Sequence, residues 1–189
     1  MSRLSSVEGR NGCYREPTAE SRDTEQAIRL WHHKAANGCP PDLTAFDFQR
    51  LQTDWGYRFL ISSDAFVGAA VFIIYGLQFA RLLGLPERAN PHLPMLQQLP
   101  AHYRALFVEG CDEVLVKSEP ARFSGAVRHG GDVELYRAAF MPLQGKNNLR
   151  PLIYGTFNRR AVPITALRGT FTSERLQADR LYDEKPQRN

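Results

Sequence analysis

From Ala65 to Ala80 the chain carries no charged side chain, and within that stretch Phe66 to Tyr75 reads FVGAAVFIIY. No other feature limits the fold as much. A membrane span needs roughly 20 apolar residues, whereas this run includes Gly68, Gly76 and Gln78 and stops at Arg81. It predicts no membrane insertion. Apolar, β-branched and aromatic residues at successive rather than alternate positions predict a strand buried on both faces. Such a strand needs other elements on either side of it. With 43% hydrophobic residues in 189, the chain has the composition of one ordinary globular domain with tails. A wholly disordered or collagen-like chain is excluded.

Charge narrows the partners. Lys and Arg number 24 against 20 Asp and Glu, a net +4, and Arg supplies nearly all the cations. They are spread evenly along the chain, and Arg159-Arg160 is the only basic doublet, read as a solvated strand end. A nucleic-acid binder gathers its cations on one stripe, so no nucleic-acid partner is expected. Cys13, Cys39 and Cys111 are odd in number and widely spaced, which gives neither a disulfide framework nor a CxxC metal site. The N-terminus lacks the apolar run of a signal peptide. A cytoplasmic protein is the resulting expectation.

Residues 1–22 contain almost no large apolar side chains and are read as a disordered tail. Asp23, with Gln26 three positions on, predicts the capped start of a helix. Ala27, Ile28, Trp31 and Ala35 then form an apolar stripe, with Asn37-Gly38 as the stop. A short segment around Leu43 to Gln52 follows. Strands are predicted near 57–61, 66–75, 121–129, 133–143 and 149–159, with turns at Ser62 to Asp64, Gly130 to Asp132 and Gly145 to Asn148. Between the second and third strands lie a short helix closed by Gly84, a proline-rich stretch with a helical fragment at Met95 to Gln98, and a helix over Ala101 to Lys117 led by Pro100. Gly110 weakens the middle of that last helix. Residues 161–189 are read as a C-terminal tail, helical in part near Ser173 to Leu181. The fold class is α+β, a five-stranded antiparallel sheet flanked by short helices.

That order, in a domain over residues 23–160, resembles a PAS domain, and the similarity covers roughly residues 25–160. The likeness is carried by the leading helix with Trp31, by Pro41 and Phe46-Asp47, and by Tyr57-Arg58-Phe59-Leu60 opening the first strand. Val67-Gly68, Tyr75-Gly76 and the hairpin residues Leu135-Tyr136-Arg137 and Phe140-Met141-Pro142-Leu143 also fit. The resemblance is to a bacterial family in which one such domain makes up most of a short protein. It implies a non-enzymatic sensory or interaction module that acts through homodimerisation and docking to a signalling protein, with room for a small-molecule pocket. The tail after the last strand is too short for a kinase, cyclase or DNA-binding effector. The alternative is a small-molecule enzyme or binder on a cone-shaped α+β fold. The two differ in strand count after the helical run, which is three for PAS.

Candidate residues follow from that frame. Phe72, Leu77, Leu82, Tyr103 and Phe107 are the ligand-pocket candidates, where strand 66–75 meets the helices. Ala27, Ile28, Trp31 and Ala35 are the candidates to cover the sheet's second face and to form a dimer. The motive is that strands 133–143 and 149–159 are apolar on both sides, with Leu135, Ala139 and Met141 against Tyr136, Ala138 and Phe140 in the first. His32 and His33 point about 100° apart on a helix and cannot share a metal. No metal is expected. No cofactor is expected either: His102 at a helix start is a poor haem ligand, and the surroundings of Cys111 do not resemble the reactive-cysteine motif of a flavin photoreceptor. Glu109, Asp112 and Glu113 are read as an exposed acidic face rather than a catalytic pair.

Overall fold

The turn signals produce two antiparallel hairpins, one on each side of a central fifth strand. The computed structural model describes residues 19–35, 39–46, 56–63, 67–129, 132–145 and 151–163. Strand β1 (Arg58–Ser62) pairs with β2 (Val71–Tyr75), and β3 (Ala121–His129) with β4 (Asp132–Leu143). β5 (Leu152–Pro163) runs antiparallel to both β1 and β4, giving the order β2-β1-β5-β4-β3. Helix α1 (Ala19–Lys34) precedes the sheet, while α2 (Leu77–Leu83), α3 (Met95–Gln98) and α4 (Ala101–Lys117) fill the connection from β2 to β3.

Alternation along the strands builds two cores, because successive side chains point to opposite faces. Phe59, Ile61, Ala138, Phe140, Ile153 and Phe157 meet α2, α3 and α4 on the inner face. Leu60, Ala139, Met141 and Tyr154 meet α1 on the outer face. The need for cover on both faces is thus met within one chain. Ala27, Ile28 and Trp31 are buried there, with Ala35 at the margin. Burial of Ile28 and Trp31 contributes on the order of 1.5–3 kcal/mol each. The Trp31 indole also donates to the Pro142 carbonyl at 2.7 Å. Pro142 is tolerated because β4 outlasts β3, whose pairing ends at Ala121–Phe140. A residue without N–H suits that unpaired edge.

Helix ends follow the local sequence. Pro100 caps α4, and Ser118 closes it in the left-handed region, its N–H donating to the Val114 carbonyl at 2.9 Å. Gly84 closes α2 at φ 64°, a conformation glycine adopts without strain.

Several expectations are corrected. α1 begins at Ala19, so Asp23 lies inside the helix rather than at its cap, and residues 19–22, read as part of the tail, are helical. Residues 1–18, 36–38, 47–55, 64–66, 130–131, 146–150 and 164–189, which include parts of the expected turns and both expected tails, lie outside the described residues. Strand 66–75 is shorter than read, since Val67–Ala69 form a 3-10 turn. It is also an edge strand, with Phe72 and Tyr75 in the inner core and Ile74 only partly buried on the outer face. Ile73 is 44% exposed, beside a bulge at Leu60/Ile61. β5 extends to Pro163 because Asp132 of β4 is available as its register partner.

Candidate functional site

The space between the sheet and the helices holds a continuous set of aromatic rings. The Phe59 ring lies 5.1 to 5.4 Å from those of Phe79, Phe107 and Phe140, and 6.2 Å from Phe72. Tyr103 and Phe157 continue the set at 5.0 Å. Two glycines permit this density. A side chain at Gly155 would overlap the Phe59 ring, and one at Gly110 would overlap Phe140. Gly110 is therefore a point of close approach between α4 and the sheet.

At one end of the rings lies a polar group drawn from three elements. The Tyr103 hydroxyl of α4 donates to Glu134 Oε2 of β4 at 2.7 Å, and Arg159 of β5 donates to Glu134 Oε1. Glu134 is buried. Burial pushes the Tyr103 phenol above its ordinary value, against the opposing pull of the Arg159 guanidinium. The phenol thus stays protonated and keeps donating. Arg159 Nε is buried without a hydrogen-bond partner among the described residues. This arrangement orients and locks the start of α4 on the sheet.

A second polar group ties α1 to the outer face. Asp23 accepts from the Thr156 hydroxyl at 2.7 Å and pairs with Arg58 at 3.4 Å. Tyr154 lies beneath, its phenol pushed up to about 12 chiefly by burial.

Of the pocket candidates, Phe72, Tyr103 and Phe107 come together in the inner core, and Leu82 packs at its margin. Leu77 does not join them: it is 41% exposed on the outward side of α2. Cys111 is buried in the same core, its thiol pushed up to about 12 by burial and by Asp112. His32 and His33 are exposed near the end of α1, and His102 is exposed with its ring 4.3 Å from Tyr103. The doublet Arg159-Arg160 was read wholly as solvated. Arg160 is exposed, but Arg159 turns inward to Glu134. Glu134 had not been singled out, although it shares strand parity with Tyr136, Ala138 and Phe140, which marks the inner face.

No protein-family model matches the chain, and no curated protein sequence matches it. Among solved structures, an RNA-binding light-oxygen-voltage (LOV) receptor is similar at 17% identity, over 66% of this chain and 34% of that one, with a TM-score of 0.39. The chain spans about a third of that receptor. A fungal LOV domain photoreceptor is similar at 14% identity, over 76% of this chain and 95% of that one, with a TM-score of 0.38. The element order and the three antiparallel strands after the helical run, in a five-stranded sheet, decide the assignment. The fold is PAS-like.

Within the PAS-like fold, one expectation is overturned by these neighbours. Absence of a cofactor, with flavin disfavoured, does not stand, because LOV domains bind flavin chromophores. Among the described residues no helix is long and apolar enough to cross a membrane.

Proposed function

We propose that the chain is a non-enzymatic PAS-type sensory or docking module that works through contacts with a signalling protein and with copies of itself. The two-sided sheet carries this reading. Phe59 and Leu60 are adjacent on β1, as are Tyr154 and Gly155 on β5, yet they belong to opposite packed layers. A shift of the inner rings therefore moves the two strands whose Arg58 and Thr156 hold Asp23 of α1. α1 is the output element in this reading, and the aromatic interior is where a small molecule would act. A cytoplasmic, bacterial setting belongs to the same proposal. The stripe of Ala27, Ile28 and Trp31 is turned to its own sheet, so a different surface has to carry self-association.

Hydrogen exchange tests the coupling. Phe107→Ala opens space among the inner rings without touching α1. Amides of residues 24–34 should then exchange faster while β4 and β5 keep their protection. If α1 exchanges as in wild type, the two layers are independent and the sensory reading fails.

A further inference from the structure

A surface helix ordinarily confines its apolar residues to one face. α4 does not. Its inner stripe, including Phe107, Cys111 and Val114, is buried, yet Ala105, Val108 and Val116 line a shallow apolar groove on its outer side. Val116 is 83% exposed. Glu109 and Asp112 edge that groove and are exposed, while Glu113 is paired with Lys117 at 2.9 Å. The outer side of α4 is thus apolar with an acidic edge, which a basic surface would complement.

Such a surface exists on the far side of the molecule. α1 packs on β4 and β5 and leaves the outer side of β3 open, where Arg122, Ser124, Ala126 and Arg128 are all exposed. Register places Leu135 and Arg160 in line with Ala126, and Val133 and Val162 in line with Arg128. Scattered in sequence, Arg122, Arg128 and Arg160 therefore share one face. Arg137 lies among them, engaged in an interaction of its own. Among the described residues no acid stands on that half of the face. Its floor of Ala126, Leu135 and Val162 is apolar or small. A helix already sits on the neighbouring half, and strands ~4.8 Å apart leave width for a second one about 10 Å across.

We propose that this half of the outer face docks α4 of a second copy, with the arginines set against its acidic edge. The two surfaces lie on opposite sides of one sheet, so a molecule cannot join its own pair. The contact is head to tail and leaves one free surface of each kind at the ends of an assembly. The inference rests on the self-association proposed above and not on the sensory role, which the exchange experiment tests separately.

The test uses sedimentation velocity on the full chain and two variants at exposed positions, each checked for an unchanged melting temperature. The face variant is Arg128→Ser with Arg160→Ser, and the helix variant is Glu109→Lys with Asp112→Lys. Wild-type mass should grow with protein concentration at about 0.05 M salt and fall back at about 0.5 M, as expected for a screened charged contact. Each variant alone should associate at least about tenfold more weakly (about 1.4 kcal/mol). An equimolar mixture should form a dimer and stop there, because it holds one intact face and one intact helix. The proposal is overturned if wild type is monomeric throughout, if either variant keeps wild-type mass, or if the mixture stays monomeric. It is equally overturned if wild type gains mass only on adding a single-stranded RNA oligomer and the face variant does not, since the arginines then serve a polyanion.

Discussion

Glu134 holds two partners from different elements, so its replacement separates hydrogen bonding from charge. Glu134→Gln keeps an acceptor for Tyr103 but leaves the Arg159 guanidinium without its counter-charge. We expect a loss of about 1–3 kcal/mol, and about 0.5–1.5 kcal/mol for Tyr103→Phe, read from urea unfolding. The double variant should lose less than the sum, and strict additivity would show that the three residues do not act together. Cys111 makes a second prediction. Its thiol, like the Tyr154 phenol, is held neutral in the folded chain and ionises more readily once unfolded. The folded state therefore binds these protons more tightly, and stability falls as pH rises from the ordinary thiol value of 9.0 toward about 12. Cys111→Ala should flatten part of that fall in a pH series of melting curves. In native protein a thiol reagent should modify exposed Cys39 and spare Cys111, which reacts only after unfolding. At this scale the sequence was informative where parity governs. Tyr103 and Phe107 follow from helical spacing, whereas Arg159 was misread because a doublet's two members face opposite sides of a strand.

A glycine-to-alanine change in a helix ordinarily adds about 0.5–1 kcal/mol. In α4 the sign should reverse at Gly110, since the added methyl would overlap the Phe140 ring. Gly110→Ala should therefore lower the melting temperature, and a rise would mean that α4 can move away from the sheet at little cost. α1 offers the complementary case. Trp31→Ala removes both a buried ring and the bond to the Pro142 carbonyl, a loss of about 3–5 kcal/mol. A variant that melts with wild type would leave the helix outside the cooperative unit. Elements were legible in sequence wherever a breaker stood beside a periodic run, as at Pro100 and Gly84. The start of β2 was not legible. FVGAAVFIIY is apolar throughout, and nothing local shows that its first part turns as a 3-10 helix or that the strand lies at a sheet edge. Those facts depend on β5, which is remote in the chain.

On the scale of the whole molecule, the sequence reached the PAS-like order of elements but not how its arginines are gathered. Charge that is even along the chain becomes uneven on the surface, because β3 and β5 bring Arg122, Arg128 and Arg160 to one side. Leu77 shows the same limit in the interior: its helix was anticipated, but which side of that helix meets the sheet was not. The sheet order also dictates a schedule. Among the described strands β5 is the last to be made, and it is the middle strand of the sheet. A growing chain on the ribosome can form the β1–β2 and β3–β4 hairpins early, each an isolated ribbon of marginal stability. Neither can find its central neighbour until Leu152 and the residues after it have emerged. Until then Phe59, Leu60, Phe140 and Met141 lack their β5 neighbours, and nascent chains in that state are prone to sticking and to holding by chaperones. Synthesis stalled just before Leu152 should leave a protease-sensitive chain, and release of only a dozen more residues should convert it abruptly to a resistant one.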